Sequence, residues 1–193
     1  MSKQQEAPGR LEIVRSFVNS ADLEEGTEEL GSPHELVAWL AAHELAAGET
    51  RATRTDLDHA IGLREALRAV LLSHNGGPPA PAQSAATLDD AARRARVQLR
   101  FREARLGWVA PETLLKPDAG GVDGALGRIL AIVHGSIADG TWSRLKACRV
   151  HSCEWAFYDH TKNRSGAWCN MAVCGNRAKA RAFRERRGGG GGP

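Results

Sequence analysis

Two short stretches near the C-terminus decide the fold, Cys148-Arg-Val-His-Ser-Cys153 and Cys169-Asn-Met-Ala-Val-Cys174. They hold all four cysteines of the 193-residue chain, as two C-x4-C pairs with fifteen residues between them. Two close cysteine pairs at such a distance are typical of one tetrahedral zinc ion with four thiolate ligands. We therefore predict one structural Zn²⁺ ion, bound by Cys148, Cys153, Cys169 and Cys174.

Two disulfides, or four unrelated thiols, are the alternative for these cysteines. The first ten residues lack the apolar core of a secretory signal, so we expect a cytoplasmic protein, and a reducing compartment favours a metal. A catalytic zinc would need an open position, whereas four cysteines close the shell even with His151 and His160 nearby. No apolar run reaches the roughly 18–20 residues of a membrane span, so we expect no membrane partner.

The residues around the cysteines indicate how the metal module folds. Trp155, Phe157 and Tyr158 favour a strand, residues 162–166 a turn, and residues 167–168 a return towards the metal. Residues 175–187 form a helix candidate directly after the last ligand. A knuckle, a hairpin and a helix that begins at the metal make a treble clef. We expect this module, residues 142–187 (the finger), to need zinc in order to fold.

Charge is divided unevenly along the chain. The net charge is +3, but residues 146–193 hold 10 basic and 3 acidic groups, a local charge of +7, and the rest carries −4. A mildly acidic body with a basic C-terminal part points to a polyanion as partner. The glycine-rich residues 188–193 are expected to be a disordered tail.

Three of the basic residues of the finger helix fall on one side, while Lys179 and Arg186 project from another. At about 100° per residue, Arg181 and Arg184 lie within about 40° of Arg177 and form one stripe (the basic stripe). Ala180 and Phe183 lie on an adjacent face that we expect to pack on the zinc module. The candidate nucleic-acid-binding residues are Lys162, Arg164, Arg177, Lys179, Arg181 and Arg184. A finger that docks on an acidic protein, and a merely solvated basic face, are the alternatives.

Residues 1–141 (the body) are predicted to be mainly helical. Periodicity and capping signals predict helices over 10–20, from the Ser32 cap to Gly48, over 55–73, over 88–96, and from about 126 to 140. Alternating residues predict a strand over 97–101 with a hairpin partner at 106–111. Residues 22–29 and 75–84 are predicted loops. The fold class is therefore α+β, mainly α, with a C-terminal treble clef.

The body offers few candidates for chemistry. Asn19 follows an apolar run and is either a buried amide that satisfies backbone groups or a ligand contact. Arg64, one turn from Arg68, either binds an anion or pairs with Glu65 or the acidic residues 22–29. We find no nucleophile–base set and no phosphate loop, so we expect no enzyme. An enzyme or small-molecule binder with its site in the body is kept as an alternative.

Several motifs resemble a known family. The finger is similar to the CGNR zinc finger in Phe157-Tyr158-Asp159, Trp168-Cys169-x-Met171-x-x-Cys174 and Gly175-Asn176-Arg177. The body resembles the ABATE domain, which precedes this finger, in Phe17-Val18-Asn19-Ser20, the helix around Trp39, and Leu63-Arg64-Glu65-Ala66-Leu67-Arg68. Ser165-Gly166-Ala167 stands where many relatives carry arginines, which leaves Lys162 and Arg164 to contact phosphate.

The resemblance implies a stress-responsive transcription regulator with a mainly helical N-terminal fold and a treble-clef finger that binds DNA. From the two-part layout of the chain, we expect the body to act as a sensor of a small-molecule effector, or as a homodimerisation domain. We expect either event to alter how the finger presents its basic helix to DNA.

Overall fold

The computed structural model describes residues 6–47, 49–100 and 114–188. Six α-helices lie in these ranges: α1 Leu11–Val18, α2 Pro33–Ala42, α3 Arg54–His74, α4 Ala82–Arg94, α5 Gly121–Ala138 and α6 Asn176–Gly188. Three antiparallel two-stranded sheets pair β1 Ala21–Asp22 with β2 Thr27–Glu28, β3 Val97–Arg100 with β4 Leu114–Pro117, and β5 Leu145–Ala147 with β6 Ala156–Tyr158. The fold is α+β and mainly α, as predicted. Among the described residues, the helices are too short or too polar to cross a bilayer.

The long helix α3 lies at the centre of the molecule. It packs against α1, α2, α4, α5 and β5. Leu63 and Leu67 of α3 are completely buried, as are Phe17 of α1, Leu40 of α2 and Ile129 of α5. Burial of several large apolar side chains around one helix gives the body a single core.

Two predicted helix starts are set by local hydrogen bonds. The Ser32 hydroxyl accepts the Glu35 backbone N–H at 3.2 Å, with Pro33 in the first turn of α2. Thr53 and Asp56 form a full capping box at the start of α3. These bonds satisfy N–H groups that have no partner inside the helix, which is why both starts are legible in the sequence.

Three predicted boundaries are wrong, including the start of α5, which lies at Gly121 rather than at about residue 126. Helix α2 ends at Ala42 rather than Gly48, because Glu44 adopts a left-handed conformation (φ 56°) and Leu45 turns back into the core. Helix α4 begins at Ala82, six residues before the predicted start at residue 88, with Pro81 as its N-cap. The glycine- and proline-rich segment hid the beginning of α4.

The acidic residues predicted as a loop form a short hairpin (residues 21–29, the acidic hairpin). Ala21 pairs with Glu28 and Asp22 with Thr27. The Asp22 carboxylate accepts the backbone N–H groups of Glu24 and Glu25 at 2.9 and 3.0 Å, which closes the turn. The turn therefore holds the backbone of Glu24 and Glu25 in place.

The predicted strand at residues 97–100 is present, but its described partner is β4. Residues 106–111, predicted to be that partner, lie outside the described residues, as does Phe101 at the end of the predicted strand. The glycine tail beyond residue 188 lies outside them too. Leu99 is 51% exposed, so this sheet lies on the surface rather than in the core.

The finger contributes to the same core as the body. Leu145 and Ala147 of β5, and Ala156 and Tyr158 of β6, belong to the apolar cluster formed by the body helices. The predicted hairpin of residues 155–168 is wrong, because β6 pairs backwards with β5. The first cysteine knuckle is the connection between these two strands, so the metal site lies at the end of a hairpin anchored in the body.

Candidate metal centre and basic helix

The four cysteine side chains converge on one point. Their Sγ atoms all lie within 4.8 Å of one another. The Cys153 and Cys169 sulfurs are 3.6 Å apart, and the Cys169 and Cys174 sulfurs 3.7 Å. A tetrahedral zinc ion with Zn–S bonds of about 2.3 Å places its ligand sulfurs about 3.8 Å apart. The sulfur separations therefore fit one zinc ion.

The chemistry of the cluster also fits a cation. Hydrogen bonds from Cys153 and Cys169 lower the pKa of Cys148 to about 2, so one thiolate is favoured. The hydrogen bond with Cys148 raises the pKa of Cys153 to about 12, and contacts with Cys148 and Cys153 raise the pKa of Cys169. Sulfurs this crowded cannot all be thiolates unless a cation lies among them. Zn²⁺ supplies that charge, and its four ligands close the site as a structural one.

The first knuckle is shaped by the β5–β6 connection. The Cys148 backbone N–H donates to Trp155 O at 3.0 Å, and that of Cys153 donates to Val150 O at 2.8 Å. Glu154 adopts a left-handed conformation (φ 47°), which turns the chain from the second ligand into β6. These bonds set the first pair of sulfurs.

The second knuckle is a turn over Met171–Gly175 that leads into α6. Asn170 caps this turn, because its Oδ1 accepts the backbone N–H groups of Ala172 and Val173 at 2.8 and 3.2 Å. Asn176 donates from its side chain to Ala172 O at 2.9 Å. The cap at Asn170 was not predicted from the sequence. An asparagine at the start of a turn is a signal for such a cap, because its side chain can accept backbone N–H groups two or three residues later. The Asn176 side chain is thus engaged with the knuckle backbone.

Helix α6 leaves the metal centre towards solvent. Ala180 is exposed and Phe183 is 53% exposed, so the prediction that these residues pack on the zinc module is wrong. The helix packs chiefly on the turn at Met171–Gly175. Helix α6 has few apolar residues to bury. The side chains of Arg177, Lys179, Arg181 and Arg184 are exposed.

Comparison with known families agrees with this geometry. A model of the CGNR zinc finger matches residues 144–187, and the ABATE model, described as "Putative stress-induced transcription regulator", matches residues 12–138. The chain belongs to the ABATE family. The resemblance noted in its motifs is confirmed. A search of curated proteins finds no match for the chain.

In this ABATE protein, Asn19 joins the body to the finger. Its Nδ2 donates to Ala156 O at 2.9 Å, and its Oδ1 accepts the Ala156 N–H at 2.7 Å, across 137 residues of sequence. The side chain thereby pairs with β6 as a neighbouring strand would. Of the two alternatives for Asn19, the structure shows the buried amide that satisfies backbone groups. Its side chain binds the backbone of Ala156 rather than a ligand.

The C-terminal end of α3 makes matching contacts on the other strand. The Asn75 side chain donates to Ala147 O at 2.7 Å and to Ala167 O at 2.9 Å. His74 donates to Leu145 O at 2.9 Å, and burial lowers the pKa of its imidazole. The sequence interpretation missed Asn75, because residues 75–84 looked like an exposed loop. Body and finger are therefore joined through buried polar bonds on both strands.

Arg64, the other predicted ligand-binding residue, is buried and engaged within the chain. Its guanidinium donates to both Glu28 oxygens at 2.7 and 2.8 Å, to Glu65 at 2.8 Å and to Ser20 at 3.2 Å. Burial opposes ionisation, but hydrogen bonds from Arg64 lower the pKa of Glu28. The two open alternatives, a pair with Glu65 and a pair with the acidic residues, are both realised. Arg64 anchors the acidic hairpin.

The turn that carries Lys162 and Arg164 is held from below by a buried ion pair. Lys146 Nζ donates to Asp159 Oδ2 at 2.7 Å, to Arg164 O at 2.6 Å and to Gly166 O at 3.1 Å. Burial opposes ionisation of Asp159, yet hydrogen bonds from Lys146 and Thr161 lower its pKa to about 2. Lys162 and Arg164 are both exposed above this network.

The basic stripe is exposed, but its first residue has an acidic partner. Arg177 Nη1 lies 2.6 Å from Glu24 Oε1 of the acidic hairpin, and this contact raises the pKa of Arg177. Arg181 pairs with Glu185 along the helix at 2.9 Å. Lys179 and Arg184 are exposed. The stripe therefore faces solvent along α6 and meets the body at Arg177.

Proposed function

We propose that this protein is a DNA-binding transcription regulator whose finger holds α6 against the DNA backbone. The observation that supports this most directly is the exposure of Lys179, Arg181 and Arg184 on a helix that begins at the metal centre. Exposed arginine and lysine side chains can neutralise DNA phosphates, and the counterions condensed on those phosphates are then released.

The turn at residues 160–165 supplies a second basic element. Lys162 and Arg164 are exposed there, while Lys146 and Asp159 hold the turn rigidly. A rigid turn loses little conformational entropy when it meets a phosphate, which favours binding. Contacts from the helix and the turn together would reach about five phosphates, which predicts a slope of about −4 to −5 in log K against log [salt].

The proposal assigns no catalytic activity and is confined to the finger. Asn19 and Arg64, the candidate ligand-binding residues of the body, are occupied by contacts within the chain. The family description names transcription regulators, which supports DNA as the polyanion. In the alternative hypothesis, the same exposed cations bind an acidic protein instead of DNA.

The test measures binding of the zinc-loaded protein to random and genomic duplex DNA at several salt concentrations by fluorescence anisotropy. The triple variant Arg177/Arg181/Arg184→Ala is expected to lose at least tenfold in affinity and to show a shallower salt slope. The variant Arg51/Arg54/Arg93→Ala is the matched control, because it removes the same charge from exposed sites of the body. Binding that survives the finger substitutions, or no binding at about 50 mM salt, contradicts the proposal.

A further inference from the structure

The tip of the acidic hairpin lies against the metal end of α6. Asp22, Glu24 and Glu25 line a cleft of about 280 Å³ together with the metal-site residues Cys153, Cys169 and Cys174. Arg177 Nη1 contacts Glu24 Oε1 across 153 residues of sequence. Among the described side chains, this is the ion pair that joins α6 to the body. The hairpin thus meets the basic stripe where the stripe is closest to the zinc site.

The hairpin is built to keep Glu24 in that position. Its strands pair at two positions, and Gly26 donates its N–H to Asp22 O at 2.8 Å in a left-handed conformation (φ 69°). The Asp22 carboxylate holds the backbone of Glu24 itself at 2.9 Å. Beneath the hairpin, the buried Arg64 binds both oxygens of Glu28. A hairpin whose backbone is held by this many bonds keeps Glu24 within reach of Arg177.

We infer that the acidic hairpin is an internal competitor for the DNA backbone, with Glu24 occupying Arg177 and thereby limiting the affinity of the finger for phosphate. The inference rests on the proposed DNA binding. A carboxylate and a phosphate oxygen take the same guanidinium donors, so a phosphate can bind Arg177 fully only when Glu24 releases it. Asp22 and Glu25 add like charge at the same place and repel an approaching phosphate. DNA that forms only backbone contacts is therefore held more weakly than the positive charge of α6 alone would allow.

The exposure of the pair permits exchange. The Arg177 side chain is 50% exposed and that of Glu24 33% exposed. An ion pair of this exposure contributes little to stability and separates readily, which is required of a competitor rather than of a structural bridge. A site on DNA that adds further contacts to the finger could displace Glu24, whereas random sequence could not.

The test compares the full zinc-loaded chain with Glu24→Gln and with the matched control Glu25→Gln, which removes the same charge one residue away. Random-sequence duplex is the probe, with anisotropy measured from about 50 to 200 mM salt. Glu24→Gln is expected to bind about three- to tenfold more tightly at the lowest salt. Its salt slope is expected to steepen by about 1, because Arg177 then displaces the counterion of one more phosphate. Glu25→Gln is expected to change affinity less than twofold.

A second pair of variants separates competition from general charge. In an Arg177→Ala background, Glu24→Gln is expected to have no larger effect than Glu25→Gln, because the residue for which Glu24 competes is gone. If the two glutamine variants have equal effects in the wild-type background, Glu24 does not compete with phosphate for Arg177. The proposed DNA binding is then unaffected. Absence of binding in every variant overturns the proposed function and the competitor together.

Discussion

The bond between Asn19 and β6 leads to a quantitative prediction about Asn19→Ala. Ala156 is completely buried, and Asn19 is the partner of both its N–H and its C=O. Each buried backbone group that loses its partner costs about 1–3 kcal/mol, so the substitution is expected to lower the free energy of unfolding by about 2–6 kcal/mol. Entry of water into the space left by the amide would move the loss towards the lower value.

The assay follows urea unfolding with two signals on the same samples. Far-UV circular dichroism reports mainly the body helices, and release of zinc to a chromogenic chelator reports the finger. Because β5 and β6 belong to the body core, both midpoints are expected to coincide in the wild type and to fall together in Asn19→Ala. Asn163→Ala is the control, because this asparagine is exposed in the turn and its loss is expected to cost less than about 0.5 kcal/mol.

Two results would refute the reasoning. A loss below about 0.5 kcal/mol in Asn19→Ala would mean that the two bonds to Ala156 contribute nothing net. Separate midpoints for dichroism and zinc release in the wild type would mean that the finger unfolds as an independent unit.

Three further predictions concern the supports of the site. Removal of zinc with a chelator is expected to lower the melting temperature of the body helices as well as to unfold the finger, as dichroism would show, and an unchanged body melt would contradict this. Asp159→Asn leaves Lys146 buried without its carboxylate, so we expect a loss of about 3–5 kcal/mol at pH 7 in urea unfolding. Because the pKa of Asp159 falls from 3.8 to about 2 on folding, its stabilisation is present above pH 3.8 and disappears towards pH 2. The difference in stability between wild type and variant should therefore narrow there. Glu28→Gln weakens the clamp on the buried Arg64 and is expected to cost about 1–3 kcal/mol, with wild-type stability as the contradicting outcome.

Features that depend on neighbours in the chain were predictable from sequence. The two cysteine pairs lie at spacings that reach one metal ion, and the four sulfurs do converge. Ser32 is the cap expected from its local pattern, and the second cap, Thr53, lies two residues before the start predicted for α3. The hidden start of α4 shows the limit of this reasoning, because a proline can end one loop and cap the next helix.

Contacts between distant residues were not predictable in the same way. Nothing next to Asn75 in sequence shows that its amide will bind the carbonyls of Ala147, just before the first knuckle, and Ala167, just before the second. The pairing of β6 with β5 rather than with residues 167–168 likewise depends on the body surface that both strands cover. Strand pairing of this kind is chosen by burial, and burial is a property of the assembled fold.

The sequence by itself determined the metal ligands, the mainly helical body and the division of charge into an acidic and a basic part. Each follows from residue type and short-range spacing, which act before the chain is folded. Only the tertiary structure decided where those charges meet. It placed Glu24 against Arg177 and turned Asn19 towards Ala156. The net charges of two segments determine that they attract each other. Which carboxylate reaches which guanidinium depends on distance, and the packing of the core sets that distance.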